Sequence, residues 1–321
     1  MIQRTVVSGA SGFVGRALCR AISGNGGEVT GIARGAQPAA DLCNNWIAVD
    51  LAKVTPLLPE GITEFFHLAG KAHAISERRA DDGEYECVNV TGTQRALDAA
   101  AMCGASAFIF FSSVRVFGDH QQRADRPVVE DDAPEPDTPY GRSKLAAERL
   151  VLDDARIPHR VVVRPALVYG PGIKGNLARM REAVERGRFP PVRESGNRRS
   201  LVHVDDVVSL ALLASRNPRA SGRIYHVADG QAYSTRRLYL ALCAAAGRAP
   251  AGWTMPHAVL RALAFAGDAA GAIRERRTPF DTAALRRLCE SSWFGADRAR
   301  RELAWKPLNT VESWCTNIGT G

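Results

Sequence analysis

The chain has 321 residues, 45% of them hydrophobic, which is enough for one large α/β unit or two closely packed domains around a sizeable core. A net charge of +8, carried almost wholly by arginine, suits anionic substrates such as sugar diphosphates, with an Arg- and Ala-rich composition as the plain alternative. The seven cysteines lack any Cys-x-x-Cys, no basic run is interleaved with aromatics and no apolar run reaches the roughly 18–20 residues of a membrane span, which argues against zinc, nucleic acid and membrane as partners and suits a reducing cytosol.

The first element is Thr5-Val6-Val7-Ser8, a β-branched run. It starts within five residues of Met1, so no N-terminal signal is expected. Gly9-Ala10-Ser11-Gly12-Phe13-Val14-Gly15 follows, and then Arg16 to Ile22 at helical period. Strand, glycine-rich turn and helix in that order allow a close backbone approach and offer free N–H groups to a pyrophosphate. Gly9, Gly12, Phe13, Val14 and Gly15 are therefore candidate cofactor-binding residues. The second strand ends Ile32-Ala33-Arg34, where an NAD-binding chain usually places Asp or Glu for the ribose 2′-hydroxyl. A guanidinium suits a 2′-phosphate instead, so Arg34 favours NADP(H), with NAD(H) as the alternative.

Strands are predicted at 4–8, 28–32, 46–49, 64–68, 107–112 and 160–164, with helical stretches between most of them. Such alternation reads as α/β, a doubly wound parallel sheet, and the change of pattern after Pro171 marks a smaller C-terminal part. The fifth strand, Phe108 to Phe111, ends in Ser112-Ser113, and ligands of such sheets sit beyond the carboxyl ends of the strands. Residues 119–138 are rich in Pro, Asp and Glu and read as a loop flanking a cleft. Thr138 can then act as N-cap and Pro139 as the first helical residue of Tyr140-Gly141-Arg142-Ser143-Lys144. Tyr140 and Lys144 share one helix face, and an ammonium beside a phenol is expected to lower the phenol's pKa. Further on, 173–188 reads as an Arg-rich helix, 189–200 as a loop and 224–228 as a strand. Helical runs fill 235–247, 256–270 and 280–290. The apolar stretch Val259 to Ala272, interrupted by Arg261 and Asp268, raises the expectation of a buried helix.

Together these pieces resemble the extended branch of the short-chain dehydrogenase/reductase superfamily, the NAD-dependent nucleotide-sugar epimerase/dehydratase family. The resemblance rests on Gly9 to Gly15, Asp50-Leu51, His67 to Gly70, Asn89 to Thr93, Ser112-Ser113, Tyr140 to Lys144, Arg164-Pro165 and Tyr169 to Gly172. It continues through Val202 to Asp206, Tyr225 to Gly230 and Glu302 to Pro307. It implies a catalytic set of Ser113, Tyr140 and Lys144, in which Tyr140 moves the hydroxyl proton, Ser113 orients the same oxygen and Lys144 tunes Tyr140 and reaches the nicotinamide ribose. It also implies that Asp50 and Leu51 lie at the adenine, that Leu68, Ala69, Gly70 and Pro165 border the dinucleotide, and that Asn89 supports the site. Residues 1–170 would form the NAD(P)-binding domain. Residues 171–321 would hold the nucleotide sugar, with some segments returning to the first domain. Asn176 and Leu177 match a position near a uridine diphosphate. Arg199 is the expected diphosphate anchor, with Arg286 or Arg287 as a second. His73 and His203 are read as structural, and helices near 85–103 and 140–155 as a possible homodimer contact.

Among the reactions that the resemblance implies, a dehydratase needs Asp-Glu after the active-site serine. Those positions are Val114 and Arg115. Leu167 replaces an asparagine common in epimerases. The expected activity is NAD(P)-dependent hydride transfer at C4 of a nucleotide sugar in cytoplasmic surface-polysaccharide synthesis, most simply reduction of a UDP-4-keto-(6-deoxy)-N-acetylhexosamine. A UDP-sugar 4-epimerase is the alternative, and a non-catalytic NADP-binding sensor a more distant one.

Overall fold

The computed structural model describes residues 3–72, 82–118, 126–173, 175–273, 278 and 280–318. The first half runs β1 (Arg4–Ser8), α1 (Phe13–Gly24), β2 (Glu28–Ala33), β3 (Asn45–Ala48), β4 (Glu64–His67), α2 (Asp82–Tyr85), a π-helical segment (Glu86–Thr91), α3 (Gly92–Met102), β5 (Ala107–Phe111), a 3-10 turn (Val114–Phe117), α4 (Pro139–Asp153), β6 (His159–Pro165) and β7 (Leu167–Tyr169). The second half adds α5 (Asn176–Glu185), β8 (Leu201–His203), α6 (Val204–Arg216), a short turn (Pro218–Ala220) and β9 (Arg223–Val227). Then come α7 (Thr235–Ala245), α8 (His257–Ile273), α9 (Thr282–Cys289), α10 (Asp297–Leu303) and α11 (Val311–Ile318).

Seven strands form one parallel sheet in the order β3-β2-β1-β4-β5-β6-β9. The predicted strands all appear, and the doubly wound architecture is borne out. Central strands of such a sheet are covered on both faces and so read as continuous apolar runs. β5, Ala-Phe-Ile-Phe-Phe, is buried at every position. Alternate residues then feed two cores. Val6, Phe65, Phe108, Phe110 and Val162 pack with Ala96, Leu97, Ala147 and Val151 of α3 and α4. Val7, Phe66, Ile109, Phe111, Val161 and Val163 pack with Leu18 and Ile22 of α1 and with Val207 and Ala211 of α6. The strand order reverses between β1 and β4, which opens a ligand crevice at their carboxyl ends.

The second half contributes to this sheet as well as building beyond it. β9 extends the sheet beside β6, and α6 lies against α1. Buried Asp206 explains why the Val202–Asp206 and Glu302–Pro307 motifs occur together. Its carboxylate accepts from the backbone of Leu308 (2.9 Å) and Asn309 (3.0 Å), which follow the second motif. A separate cluster joins Tyr169, Leu177 and Met180 to Tyr233, Leu242 and Trp314. The helix expected at 173–188 is the shorter α5, and α7, α8 and α9 fall where helices were predicted. The loop expected at 189–200 is tied by isolated bridges, Arg199 to Tyr233 and Arg199 to Ser292. α8 corrects the expectation of a buried helix: among its described side chains only Leu260 and Ala264 are fully buried, while Val259, Leu263 and Phe265 are exposed. Among the described residues no helix is long and apolar enough to cross a membrane.

One buried ion pair fixes α4 on the sheet. Arg164 of β6 donates from Nε to Glu148 Oε1 (2.8 Å) and from a terminal nitrogen to Oε2 (2.6 Å), and both side chains are at most 3% exposed. Removing one member of such a pair leaves an unpaired buried charge. Glu148→Gln is therefore expected to lose about 3–5 kcal/mol of stability in urea unfolding, with Glu148→Gln/Arg164→Met less destabilised than the single variant. Two histidines set the acid limit. His67 and His226 are fully enclosed, and burial holds both near pKa 3, below the ordinary value of 6.5. Between pH 6.5 and 3 the unfolded chain binds protons that the folded chain does not. Stability is thus full above pH 6.5 and falls by roughly 1.4 kcal/mol per pH unit per histidine below it. Thermal melts from pH 7 to 4 should show this, and His226→Gln should flatten the slope.

Candidate functional site

The glycine loop after β1 is pressed into the crevice. Gly9 has φ +71°, and a Cβ there would stand 2.7 Å from the Ala69 nitrogen and 2.8 Å from the Leu68 carbonyl carbon. A side chain at Gly15 would collide with the Gly9 carbonyl oxygen. The backbone can therefore lie flat between β1, α1 and the end of β4 only with glycine at both places. Gly12 is the N-cap of α1, and Phe13 and Val14, half-buried, are its first residues. The loop is also tied to β2, since Gly9 N donates to Ile32 O at 2.8 Å. Exposed Arg34 follows that strand directly. This cradle fits the pyrophosphate of a dinucleotide, with N–H groups at a helix start and no side chain in the way. Asp50 turns its carboxylate to Ala52 N (3.0 Å), and Leu51 is buried in the core beside α3.

Buried polar links run from this crevice to α4. Ser8 Oγ lies 2.6 Å from His67 Nδ1, and His67 Nε2 lies 3.0 Å from Thr93 Oγ1. Thr93 donates to the Asn89 carbonyl at 2.6 Å. Asn89 sits in the π-helical segment, and such bulges re-aim side chains at functional sites. Its Nδ2 donates to Ser143 Oγ (2.9 Å) and its Oδ1 accepts from Lys71 N (2.7 Å). Ser143 in turn donates to the Tyr140 carbonyl at 2.9 Å. The Ser8–His67–Thr93 links and the role of Ser143 were not foreseen. Only the His67–Gly70 and Asn89–Thr93 matches hinted at them, since nothing in one chain marks which buried polar groups will meet.

The Thr138 cap and Pro139 start of α4 are as expected, with Gly141 N donating to Thr138 Oγ1 at 3.1 Å. Tyr140 and Lys144 are both buried. A Cβ at Gly70 would stand 2.9 Å from Asn89 Oδ1 and 3.3 Å from Lys144 Nζ, so these three residues meet at one point. Lys144 Nζ donates to Phe111 O at 2.9 Å and stands 4.7 Å over the Phe110 ring. Burial lowers its pKa to about 8, against an upward pull from Glu148. Burial likewise raises the Tyr140 phenol, opposed by a hydrogen bond from Ser113 and the charge of Arg115. That corrects the expectation that Lys144 is what lowers Tyr140: its ammonium is turned to the Phe111 carbonyl. Ser113 is the N-cap of the 3-10 turn, accepting from Arg115 N at 3.2 Å. Val114, at the first dehydratase position, is buried among Val116 and Phe117. Pro165 is the last residue of β6.

The substrate-side candidates lie apart from this centre in the chain but are tied together. Asn197 Nδ2 donates to Thr235 Oγ1 (3.1 Å) and Leu288 O (3.3 Å), and Arg199 pairs its backbone with Tyr233 (2.9 Å). The Arg199 segment therefore runs beside the end of α9. Asn176, exposed at the start of α5, accepts from Arg179 at 2.7 Å, while Leu177 points into the core beside it. His203 caps α6 by accepting from Asp205 N (3.3 Å), as its structural reading required. His73 and the side chain of Arg287 lie outside the described residues.

The family model described as NAD dependent epimerase/dehydratase family matches residues 5–228. The chain is 31% identical over 198 residues to UDP-glucose 4-epimerase of Vibrio cholerae, an alignment spanning 60% of each protein. It is 28% identical over 334 residues to 2-alkyl-3-oxoalkanoate reductase of Stenotrophomonas maltophilia, spanning 96% of each. In fold it is similar to UDP-glucose 4-epimerase of Thermotoga maritima solved with UDP-glucose, at TM-score 0.75 and 20% identity, covering 99% of this chain and 98% of that one. The glycine cradle, the parallel sheet and the match across most of the chain agree: this protein belongs to the NAD dependent epimerase/dehydratase family.

Proposed function

We propose that the protein reduces the C4 keto group of a nucleotide-diphosphate sugar, a UDP-4-keto-(6-deoxy)-N-acetylhexosamine, with NADPH as the preferred reductant. The observations that support this reading are the convergence of Gly70, Asn89 and Lys144 next to the cradle, the hydrogen bond between Ser113 and Tyr140, and the lack of a carboxylic acid at positions 114 and 115. The bound dinucleotide supplies the hydride. Tyr140, kept protonated by burial, gives its proton to the keto oxygen, and Ser113 hydrogen-bonds the same oxygen. Lys144 holds the dinucleotide ribose and, with a pKa of about 8, stays charged at neutral pH. Asn89 holds the chain at Lys71 and, through Ser143, the first turn of α4, so that Tyr140 stays in place.

Arg34 carries the NADPH preference, as a guanidinium in the place of a ribose-binding carboxylate. On the sugar side, Arg199 holds the diphosphate and Asn176 lies near the uridine, in a lobe formed by residues of the second half. Relatives named as UDP-glucose 4-epimerases support a nucleotide sugar, and the relative aligned over 96% of both chains is named as a reductase. Ready interconversion of a UDP-sugar with its C4 epimer would instead favour the epimerase reading.

Tyr140→Phe should lower turnover by about 10²–10⁴-fold while dinucleotide affinity, read by fluorescence titration, stays within about threefold. Equal turnover in the variant would remove Tyr140 from the proton transfer. Arg34→Ala should weaken NADPH by about tenfold and NADH far less; an equal loss for both would mean that Arg34 does not read the 2′-phosphate. The reaction itself is tested with UDP-4-keto-6-deoxy-N-acetylglucosamine plus NADPH, and separately with UDP-N-acetylglucosamine, followed at 340 nm and by NMR of the sugar. Loss of NADPH absorbance with the keto-sugar supports the reductase. Epimer formation without net cofactor change overturns it in favour of a 4-epimerase. Tight NADPH binding with no turnover of either sugar overturns it in favour of a binding role.

A further inference from the structure

α8 is seated on the protein along a narrow seam. Leu260 and Ala264 are 3% and 0% exposed and pack with Val192, Phe280 and Leu285. A side chain at Gly267 would run into the Phe280 carbonyl, so the helix is pressed hard against that segment. Its other side carries Val259, Ala262, Leu263, Phe265, Ala266 and Ala269, all exposed. Val259, Leu263 and Phe265 are 45%, 50% and 65% exposed. At ~100° per residue these six span an arc of roughly 160° that contains no polar side chain. A helix apolar on both its seated and its open side is built to be covered. Its charges are confined to one edge, at exposed Arg261 and Asp268, seven residues and two turns apart.

We propose that this face is a contact between two copies of the chain, with the two α8 helices antiparallel about a twofold axis. Ala262, Phe265 and Ala269 follow the three- and four-residue spacing of a helix–helix seam. The alanines let the two axes approach to about 8–10 Å, with Val259, Leu263 and Phe265 packing around them. The charges select the direction. In an antiparallel pair with Ala262 facing the partner's Phe265, Arg261 comes opposite the partner's Asp268, and the twofold axis repeats the pair. A parallel pair about a twofold axis would put the two charged edges on opposite sides of the seam, where neither Arg261 nor Asp268 meets an opposite charge. Opposite charges at the two ends of one edge are what an isologous contact requires. An anionic lipid surface fits less well, because the one cation on this edge is matched by one acid. A helix of this length is ~25 Å long and its pairing buries less than the ~1,600 Å² of a standard interface, so association is expected in the micromolar range. The proposal does not rest on the catalytic reading, and it is independent of any pairing through α3 and α4.

The test is sedimentation velocity of the full chain from about 1 to 200 μM, for the wild type, Arg261→Asp, Asp268→Arg and the double variant. The wild type should show a concentration-dependent doubling of its starting species. Each single reversal places like charges opposite one another and should move the midpoint at least about tenfold higher in concentration, whereas the double reversal should return it to within about threefold of the wild type. Association that is absent in the wild type, unchanged in the single variants or not restored in the double variant would overturn the proposal. Flotation of the wild type with phosphatidylglycerol vesicles in place of self-association would also overturn it, and would assign the face to a lipid surface.

Discussion

Tyr140, Lys144 and Glu148 stand at successive four-residue steps along one face of α4, and the site depends on how that stripe is buried. A phenol, an ammonium and a carboxylate are taken out of water together. Burial works against the charged forms, lowering Lys144 and raising Tyr140. The negative charge of Glu148 opposes the loss at Lys144, and Arg164 balances Glu148 from β6. The helix is thereby held at one height and one rotation on the sheet. At its other end, Thr138 and Ser143 fix the first turn. Shifting either anchor would move the phenol relative to Ser113, which belongs to a different strand end.

The second constraint is the closeness of β1 and β4. Because they are neighbours at the reversal point of the sheet, the loop after β1 lies directly against residues 68–70. Glycine at positions 9 and 15 makes that contact possible. The same neighbours carry Ser8 and His67, whose hydrogen bonds reach Thr93 and then Asn89. One fully enclosed neutral histidine therefore links the dinucleotide cradle to the helix that presents Asn89 to α4. The π-helical step at 86–91 matters here, since an ordinary turn would rotate Asn89 away from Lys71 and Ser143.

The second half of the chain contributes both to the sheet and to the lobe beyond it. β9 and α6 complete the central layers, with Asp206 fastening the backbone after Pro307 to α6. Beyond them, Asn197 fastens the Arg199 segment to the end of α9. α8 is attached by a thin seam and leaves an apolar arc facing outward.

Much of this is legible in the sequence. Apolar β-branched and aromatic runs marked the strands, because only strands buried on both faces tolerate unbroken hydrophobicity. Spacing marked Tyr140 and Lys144 as neighbours, and Thr138-Pro139 marked where their helix begins, because these are local rules of backbone geometry and capping. What remained hidden depends on contacts between residues far apart in the chain. The turning of Lys144 to the Phe111 carbonyl, the charge of Arg115 near Tyr140, the Glu148–Arg164 pair and the Ser8–His67–Thr93 links all join different elements. The outward face of α8 is of the same kind. Its composition matches that of a core helix, and whether such a helix is enclosed depends on how many neighbours the packed chain brings to it. Residue order therefore sets which elements form and which chemistry they carry. Desolvation, charge pairing and exposure emerge once those elements are brought side by side, because each depends on distances that only packing creates.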